Sequence, residues 1–380
     1  MESELNNLLV WIDTPQALTR MVLEIEKEPR LAVDTESNSL YVYKEEVCLV
    51  QISSPRCDYL IDPFALRDLS PLGALFLSKV QEKIFHASEY DLICLKRDFH
   101  FKFNNIFDTM VAARILGEPQ VGLGSLLQTK FGIELDKHYQ RANWGGRPLS
   151  KEMLDYARLD THYLFQLRDL LANDLIAHSL MDLALEDFQL ACKVKPHVPE
   201  ADNHGCWKVA GSNHVSPRQA AILQELCSFR EDQARRANLP PFRIFSNQLL
   251  FDISEAVPHT LEELGTLHGV SEKILKRRGE GLLHAVVKGE SSPPVTRQRR
   301  PRPDVEFIRR LGALKEWRKS MAKELKVESD VVLPKETMER IAGDAPKNLN
   351  ELEEVMADTP VRFSRFSNLI LEAAQKKESE

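Results

Sequence analysis

Residues 30–36 read RLAVDTE. An apolar, partly β-branched run that ends in acids has the pattern of a buried strand whose last residues reach a polar site. Three more runs of this kind follow, VCLVQIS (47–53), CDYLID (57–62) and KIFHAS (83–88), each bounded by polar or turn residues. Helical spacing covers 64–79, 89–97, 108–116, 123–131 and about 150–172. Strands that come first, with helices interleaved and following, predict an α/β fold: a mixed sheet flanked by helices over residues 1–195. Around 193–215 the periodicity gives way to Pro, His, Asn and Gly, the composition of a linker.

Beyond the linker the chain repeats itself. Leu223, Leu226, Phe229, Arg230, Ala234, Ile253, Leu261 and Leu264 recur as Leu311, Leu314, Trp317, Arg318, Ala322, Ile341, Leu349 and Leu352, always 88 positions on. Helical spacing dominates both copies, which predicts two small all-α domains, 212–290 and 304–377. Thr260 and Glu263 form a capping box, Ser271 caps the next helix, and Pro334 suits a first turn. Two copies with so long a period are too few for a solenoid. Between them SSPPVTRQRRPRP (291–303) is Pro- and Arg-rich and has no acid, as a basic tether would.

The chain of 380 residues is 43% hydrophobic and 28% charged, with 16 Gly and 20 Pro. That is the composition of a globular protein, and it excludes collagen-like, coiled-coil and low-complexity classes. No stretch resembles a membrane span, and the opening MESELNNLLVWIDTP lacks the pattern of a signal peptide, so a cytoplasmic location is expected. The six cysteines form no CxxC pair, which argues against a zinc site or a disulfide framework. The net charge of −7 is uneven: residues 1–200 sum to −9, 201–320 to +6 and 321–380 to −4. An acidic first half suits a site loaded with cations, and a basic middle suits a phosphate backbone.

Asp34 and Glu36, two apart on a strand, project from one face a few ångströms from each other. Two like charges at the end of a buried strand repel unless a cation neutralises them, and hard divalent ions take carboxylate oxygens. Asp91 falls in the first turn of a helix, where capping alone would account for it. Tyr156 and Asp160 are four apart on a helix and share one face. Lys137, Arg141, Trp144 and Arg147 form a basic and aromatic loop that could grip a nucleotide chain, although Trp144 could equally pack inside. Lys273, Lys276 and Arg277 lie at i, i+3 and i+4 on a helix face, available for phosphates or simply solvated. His86 reads as a packed or surface histidine near the site, and Asp108 as a helix cap.

The acids and the tyrosine occur in the order D-x-E, D, Y-x-x-x-D. In this they resemble the DEDD exonuclease superfamily, in its tyrosine subclass. FDTMVAARILG (107–117), Gly122–Leu127, LDKHYQRANWGGRPLS (135–150) and YARLDTHYL (156–164) look specifically like ribonuclease D. The two tail modules resemble its helicase-and-ribonuclease-D C-terminal (HRDC) domain, the second being acidic at Glu351, Glu353 and Glu354. The resemblance implies a ribonuclease-H-like sheet and two divalent ions, Mg²⁺ or Mn²⁺, held by Asp34, Glu36, Asp91 and Asp160. It also implies a Tyr156 that orients the attacking water. The expected substrate is RNA, such as the 3′ ends of tRNA precursors or other structured RNA, released as nucleoside 5′-monophosphates without a nucleotide cofactor or a membrane. A DNA exonuclease would use the same acids, and only a contact to the 2′-hydroxyl would tell the two apart. A non-catalytic adaptor would have lost a motif residue, and a helicase would need a GxxxxGK[ST] loop, which is absent.

Overall fold

The computed structural model describes residues 7–136, 138–196, 205–211, 213–297 and 304–376, with residues 205 and 206 described by their backbone alone. Six strands form one mixed sheet: β1 (Leu8–Ile12), β2 (Arg30–Ser37), β3 (Val47–Ser53), β4 (Cys57–Ile61), β5 (Glu82–Phe85) and β6 (Ile106–Asp108). Their order is β1-β4-β3-β2-β5-β6. β3 is antiparallel to β2 and β4, while the pairs β1–β4, β2–β5 and β5–β6 are parallel. Every residue of β3 is buried, which is why VCLVQIS is apolar almost throughout rather than alternating. Beyond the strands legible in the sequence, the sheet gains β1 and the three-residue β6.

Eight helices accompany the sheet: α1 (Pro15–Ile25), α2 (Ser70–Leu77), α3 (Glu89–Phe99), α4 (Thr109–Ile115), α5 (Leu123–Phe131), α6 (Lys151–His162), α7 (Leu164–Ala177) and α8 (Met181–Cys192). The pattern over 150–172 is therefore two helices joined at Tyr163, not one. Because β2, β5 and β6 run parallel, their C-terminal ends share one edge of the sheet. That edge is where open α/β sheets bind ligands, and it carries Asp34 and Glu36 on β2, His86 just past β5 and Asp108 on β6.

The expected linker contains a short helix, α9 (Gly205–Ala210), whose Val209 and Ala210 join the core of the first tail module. That module then runs through α10 (Pro217–Ala237), α11 (Pro241–Ile244), α12 (Asn247–Ala256), α13 (Leu261–Gly265) and α14 (Glu272–Ser291). The second contains α15 (Val305–Leu325), α16 (Ser329–Val332), α17 (Lys335–Asp344), α18 (Leu349–Val355) and α19 (Pro360–Gln375). Each helix begins 88 residues after its counterpart. Interior bonds repeat too: Arg230 donates to the Phe245 carbonyl at 3.2 Å, and Arg318 to the Leu333 carbonyl at 3.0 Å.

The chain forms two compact units. One comprises the described residues up to 37, 47–196 and 304–376, so the second module belongs with the sheet. There Gly117, at φ 74°, ends α4 so close to the Lys326 carbonyl that a Cβ would come within 2.3 Å of it, in a conformation that only glycine adopts freely. The other unit holds the first module together with residues 38–46, the segment between β2 and β3. In that unit the Tyr43 hydroxyl donates to Glu231, and Arg243 lies over the Tyr41 ring at 4.5 Å. Among the described residues no helix is long and apolar enough to cross a membrane.

Candidate active site

The carboxylates of Asp34, Glu36 and Asp160 converge within 4.8 Å of one another. β2 supplies the first two and α6 the third. α6 is held against the sheet by Asp58, which is 1% exposed and accepts from Arg158 Nη2 at 2.8 Å, His162 Nδ1 at 2.9 Å and Ser53 Oγ at 2.7 Å. Burial opposes ionisation of Asp58, yet the bonds from His162, Ser53 and Arg158 hold its carboxyl below the usual range. Thr161 and Ser53 share a further hydroxyl bond of 2.7 Å. One face of α6 is thus fixed to β3 and β4, which sets where Tyr156 and Asp160 stand.

Asp91, buried in the first turn of α3, lies outside the group of three but accepts a hydrogen bond from the Thr35 hydroxyl, between Asp34 and Glu36 on β2. Burial raises the carboxyl pKa of all four acids, and each is pushed further by a neighbour: Asp34 by Asp160, Glu36 by Asp34, Asp91 by Asp34 and Asp160 by Asp91. Asp160 rises to about 7. Oxygen donors so close and so mutually repulsive suit a hard divalent cation, which would relieve the repulsion. Tyr156 packs between the rings of Tyr139, 5.9 Å away, and Trp144, 6.0 Å away. Burial and then Asp160 push its phenol pKa upward, so it stays protonated. Asp34, Glu36, Asp160 and Tyr156 line a cleft of about 440 Å³ with His86, Gln140 and the N-terminal end of α5, Gly122–Ser125.

The loop between α5 and α6 divides the residues expected to bind nucleic acid. Trp144 is 1% exposed and offers no ring face to a base; it belongs to the core. Arg147 is engaged at all five of its N–H groups, by both oxygens of Asp62 and the carbonyls of Cys48, Trp144 and Gly146, so it braces the loop rather than reaching for phosphate. Arg141 is exposed at the end of a 3₁₀ turn (His138–Arg141), and Lys137 lies outside the described residues. Lys273, Lys276 and Arg277 are exposed on α14, Lys276 lying 3.9 Å from Glu272. Asp108 caps α4 through Met110 N and Val111 N, at 2.9 and 3.1 Å. The Asp58 clamp had escaped the sequence because its partners lie about a hundred positions apart, and the aromatic seat of Tyr156, though local, because Tyr139 and Trp144 fit no helical or strand spacing with it.

Clustered carboxylates at the C-terminal edge of a mixed sheet, with a tyrosine beside them and two helical modules later in the chain, define a 3′→5′ exonuclease with appended nucleic-acid-binding domains. Residues 9–176 match the 3′-5′ exonuclease family, and residues 219–286 and 308–373 each match the HRDC domain. A ribonuclease D of Desulfotalea psychrophila is 31% identical over 280 residues, 73% of this chain and 74% of that one. The exosome complex exonuclease RRP6 of Saccharomyces cerevisiae is 32% identical over 281 residues, 70% of this chain but only 38% of the longer yeast protein. The crystal structure of the catalytic core of RRP6 from Trypanosoma brucei superposes with a TM-score of 0.67 at 27% identity, covering 76% of this chain and 81% of that one. The chain belongs to the ribonuclease D family of exoribonucleases.

Proposed function

We propose that the protein removes nucleoside 5′-monophosphates one at a time from RNA 3′ ends, with tRNA precursors and other structured RNAs as its cytoplasmic substrates. The convergence of Asp34, Glu36 and Asp160 within 4.8 Å at the head of the cleft carries this reading. The donor set fits two divalent ions, Mg²⁺ or Mn²⁺, shared among Asp34, Glu36, Asp91 and Asp160. When bound, such ions make water nucleophilic at neutral pH and neutralise the leaving oxygen. The chain's own groups do the rest. Tyr156 keeps its phenolic proton and, wedged between Tyr139 and Trp144, orients the water by hydrogen bonding. The Asp58 clamp keeps α6 from shifting as the charge in the cleft changes. The work divides by domain: residues 1–195 hold the chemistry, 212–290 hold RNA through Lys273, Lys276 and Arg277, and 304–377 support the fold. Arg141 meets the strand near the cleft.

The test is the purified full chain with matched 3′-tailed RNA and DNA, products resolved by length. RNA should shorten stepwise from its 3′ end, EDTA should stop this, and Mg²⁺ or Mn²⁺ should restore it. Asp34→Asn should be folded and inert. Undiminished cleavage by Asp34→Asn, or cleavage that survives EDTA, overturns the reading.

A further inference from the structure

His86 follows β5 directly and lines the cleft beside the acids, and the geometry around it fixes its proton. Its Nδ1 is 2.9 Å from Thr109 Oγ1, and that hydroxyl is 3.0 Å from the Phe85 carbonyl. A carbonyl only accepts, so the single Thr109 proton goes there. Oγ1 must therefore accept from His86, which places the ring proton on Nδ1. Burial drives the imidazole pKa down to about 4, so at neutral pH the ring is uncharged and Nε2 has an open lone pair.

The backbone is equally constrained. Ala87 takes the left-handed conformation at φ 63°, uncommon for a residue with a Cβ. It is held there by Asp108, which accepts from Ala87 N at 3.1 Å and Ser88 N at 2.7 Å. Non-glycine residues held in this region cluster at functional sites. The cleft thus presents a rigid, neutral acceptor about which the exonuclease reading says nothing.

An acceptor repels phosphate oxygens, which only accept, and calls for a donor. A neutral ring nitrogen is also not the oxygen donor that hard divalent cations prefer. The N–H donors of the four bases sit at different positions, so a fixed acceptor aimed at a base edge would favour one base and stall a processing enzyme on the others. Sugar hydroxyls are the donors every ribonucleotide shares. We propose that His86 Nε2 accepts a hydrogen bond from the 2′-hydroxyl of the 3′-terminal nucleotide and thereby sets a preference for RNA over DNA. This rests on the exonuclease reading above.

The experiment uses four RNAs that differ only at the last nucleotide, ribo, 2′-deoxy, 3′-deoxy and 2′,3′-dideoxy, with the wild type, His86→Ala and Thr109→Val. Loss of the 2′-hydroxyl should lower wild-type kcat/KM roughly ten- to a hundredfold, the range for one lost hydrogen bond that leaves its partner unpaired. His86→Ala should show that loss on the ribo substrate and no further loss on the 2′-deoxy one. Thr109→Val keeps the side-chain shape but removes the Nδ1 acceptor, so it should narrow the ribo-to-deoxy ratio. Independently of activity, ¹⁵N spectra of the ring should show Nδ1 protonated in the wild type and mixed tautomers in Thr109→Val, and His86→Ala should bind Mg²⁺ as the wild type does. An Nε2-protonated wild type, weaker Mg²⁺ binding in His86→Ala, or coupling to the 3′- instead of the 2′-hydroxyl overturns the proposal. A wild type that cleaves none of the four overturns the exonuclease reading itself, whereas one whose discrimination survives in His86→Ala removes only this inference.

Discussion

The two tail modules share their helices at a fixed 88-residue offset, yet the same helix face does opposite things in each. On α14 it bears Lys273, Lys276 and Arg277, all exposed. The equivalent positions on α19 are Val361, Ser364 and Arg365, and the half-buried Ile274 of the first copy becomes Arg362. Arg362 is wholly buried against α8, donating to Glu186 at 2.6 Å and to both oxygens of Asp187 at 2.7 and 3.0 Å, while Arg365 pairs with Asp182 at 3.1 Å. Even the helix cap is exchanged. Ser271 caps α14 from within its own module; at the matching Thr359 no side-chain cap bond forms, and Glu186 of α8 accepts from Val361 N at 2.6 Å instead. The second module thus joins the catalytic body through a face whose residues differ from its twin's, and in the twin that face is basic and exposed.

The largest effect that can break this comparison lies at Arg362. Replacing it with Met leaves the buried Glu186 and the partly exposed Asp187 without their cation, and losing one partner of a buried pair typically costs about 3–5 kcal/mol. Urea unfolding should show a loss of that order; a loss below about 1 kcal/mol would mean the docked face does not support the fold. The pH dependence has a definite sign. Burial already holds the Asp187 carboxyl above the usual range despite the attraction of Arg362, and removing the arginine raises it further. An acid whose folded pKa exceeds its unfolded one contributes stability that is fully present below the unfolded pKa and is lost as pH rises from there through the folded one. The deficit of Arg362→Met should therefore shrink on acidification from about pH 8 to about pH 5.

On the open face the expected effect is smaller and electrostatic. Giving α14 the second copy's residues, Lys273→Val with Lys276→Ser, should leave the melting temperature nearly unchanged but weaken RNA binding. The log–log salt slope should become shallower by about 1.4, roughly 0.7 for each lost contact to a single strand. Fluorescence anisotropy across a salt series measures this, and an unchanged slope would reduce the face to a solvated surface. The converse change, Val361→Lys, should gain no RNA affinity, because Val361 meets α8.

What the sequence disclosed follows the same division between local and distant. The 88-residue offset, the Thr260 and Ser271 caps and the strand of RLAVDTE are local patterns, and each stands where its pattern put it. β6 is three residues long, too short to show a period, and the helix beginning at Lys151 breaks at Tyr163 without a Gly or Pro to mark it. The motif acids were visible because their spacing has chemical meaning. Trp144 and Arg147 were ambiguous because a basic, aromatic loop looks alike whether its groups point outward or, as here, close on Asp62 and Tyr156. The docking of Arg362 could not be read at all, since its partners lie about 175 positions away.

The smallest prediction is the control. α13 and α18 are capped alike: Thr260 Oγ1 accepts from Glu263 N at 3.1 Å, and Asn348 Oδ1 from Glu351 N at 3.0 Å. The carboxylates return the bond to the preceding backbone, Glu263 accepting from His259 N and Glu351 from Lys347 N, both at 2.7 Å. Glu351, one of the acids that sets the second copy apart in charge, therefore serves the same structural end as Glu263. Neither cap involves the docked face. Thr260→Ala and Asn348→Ala should each cost about 1 kcal/mol, the usual price of a lost cap, read locally as faster hydrogen exchange of the α13 and α18 amides. Equal losses would show that the modules are energetically the same wherever their geometry is the same, leaving the face whose residues differ as the source of their difference. A clearly larger loss at Asn348 would mean that docking has altered the second module throughout, and the contrast between one face and its twin would no longer account for it.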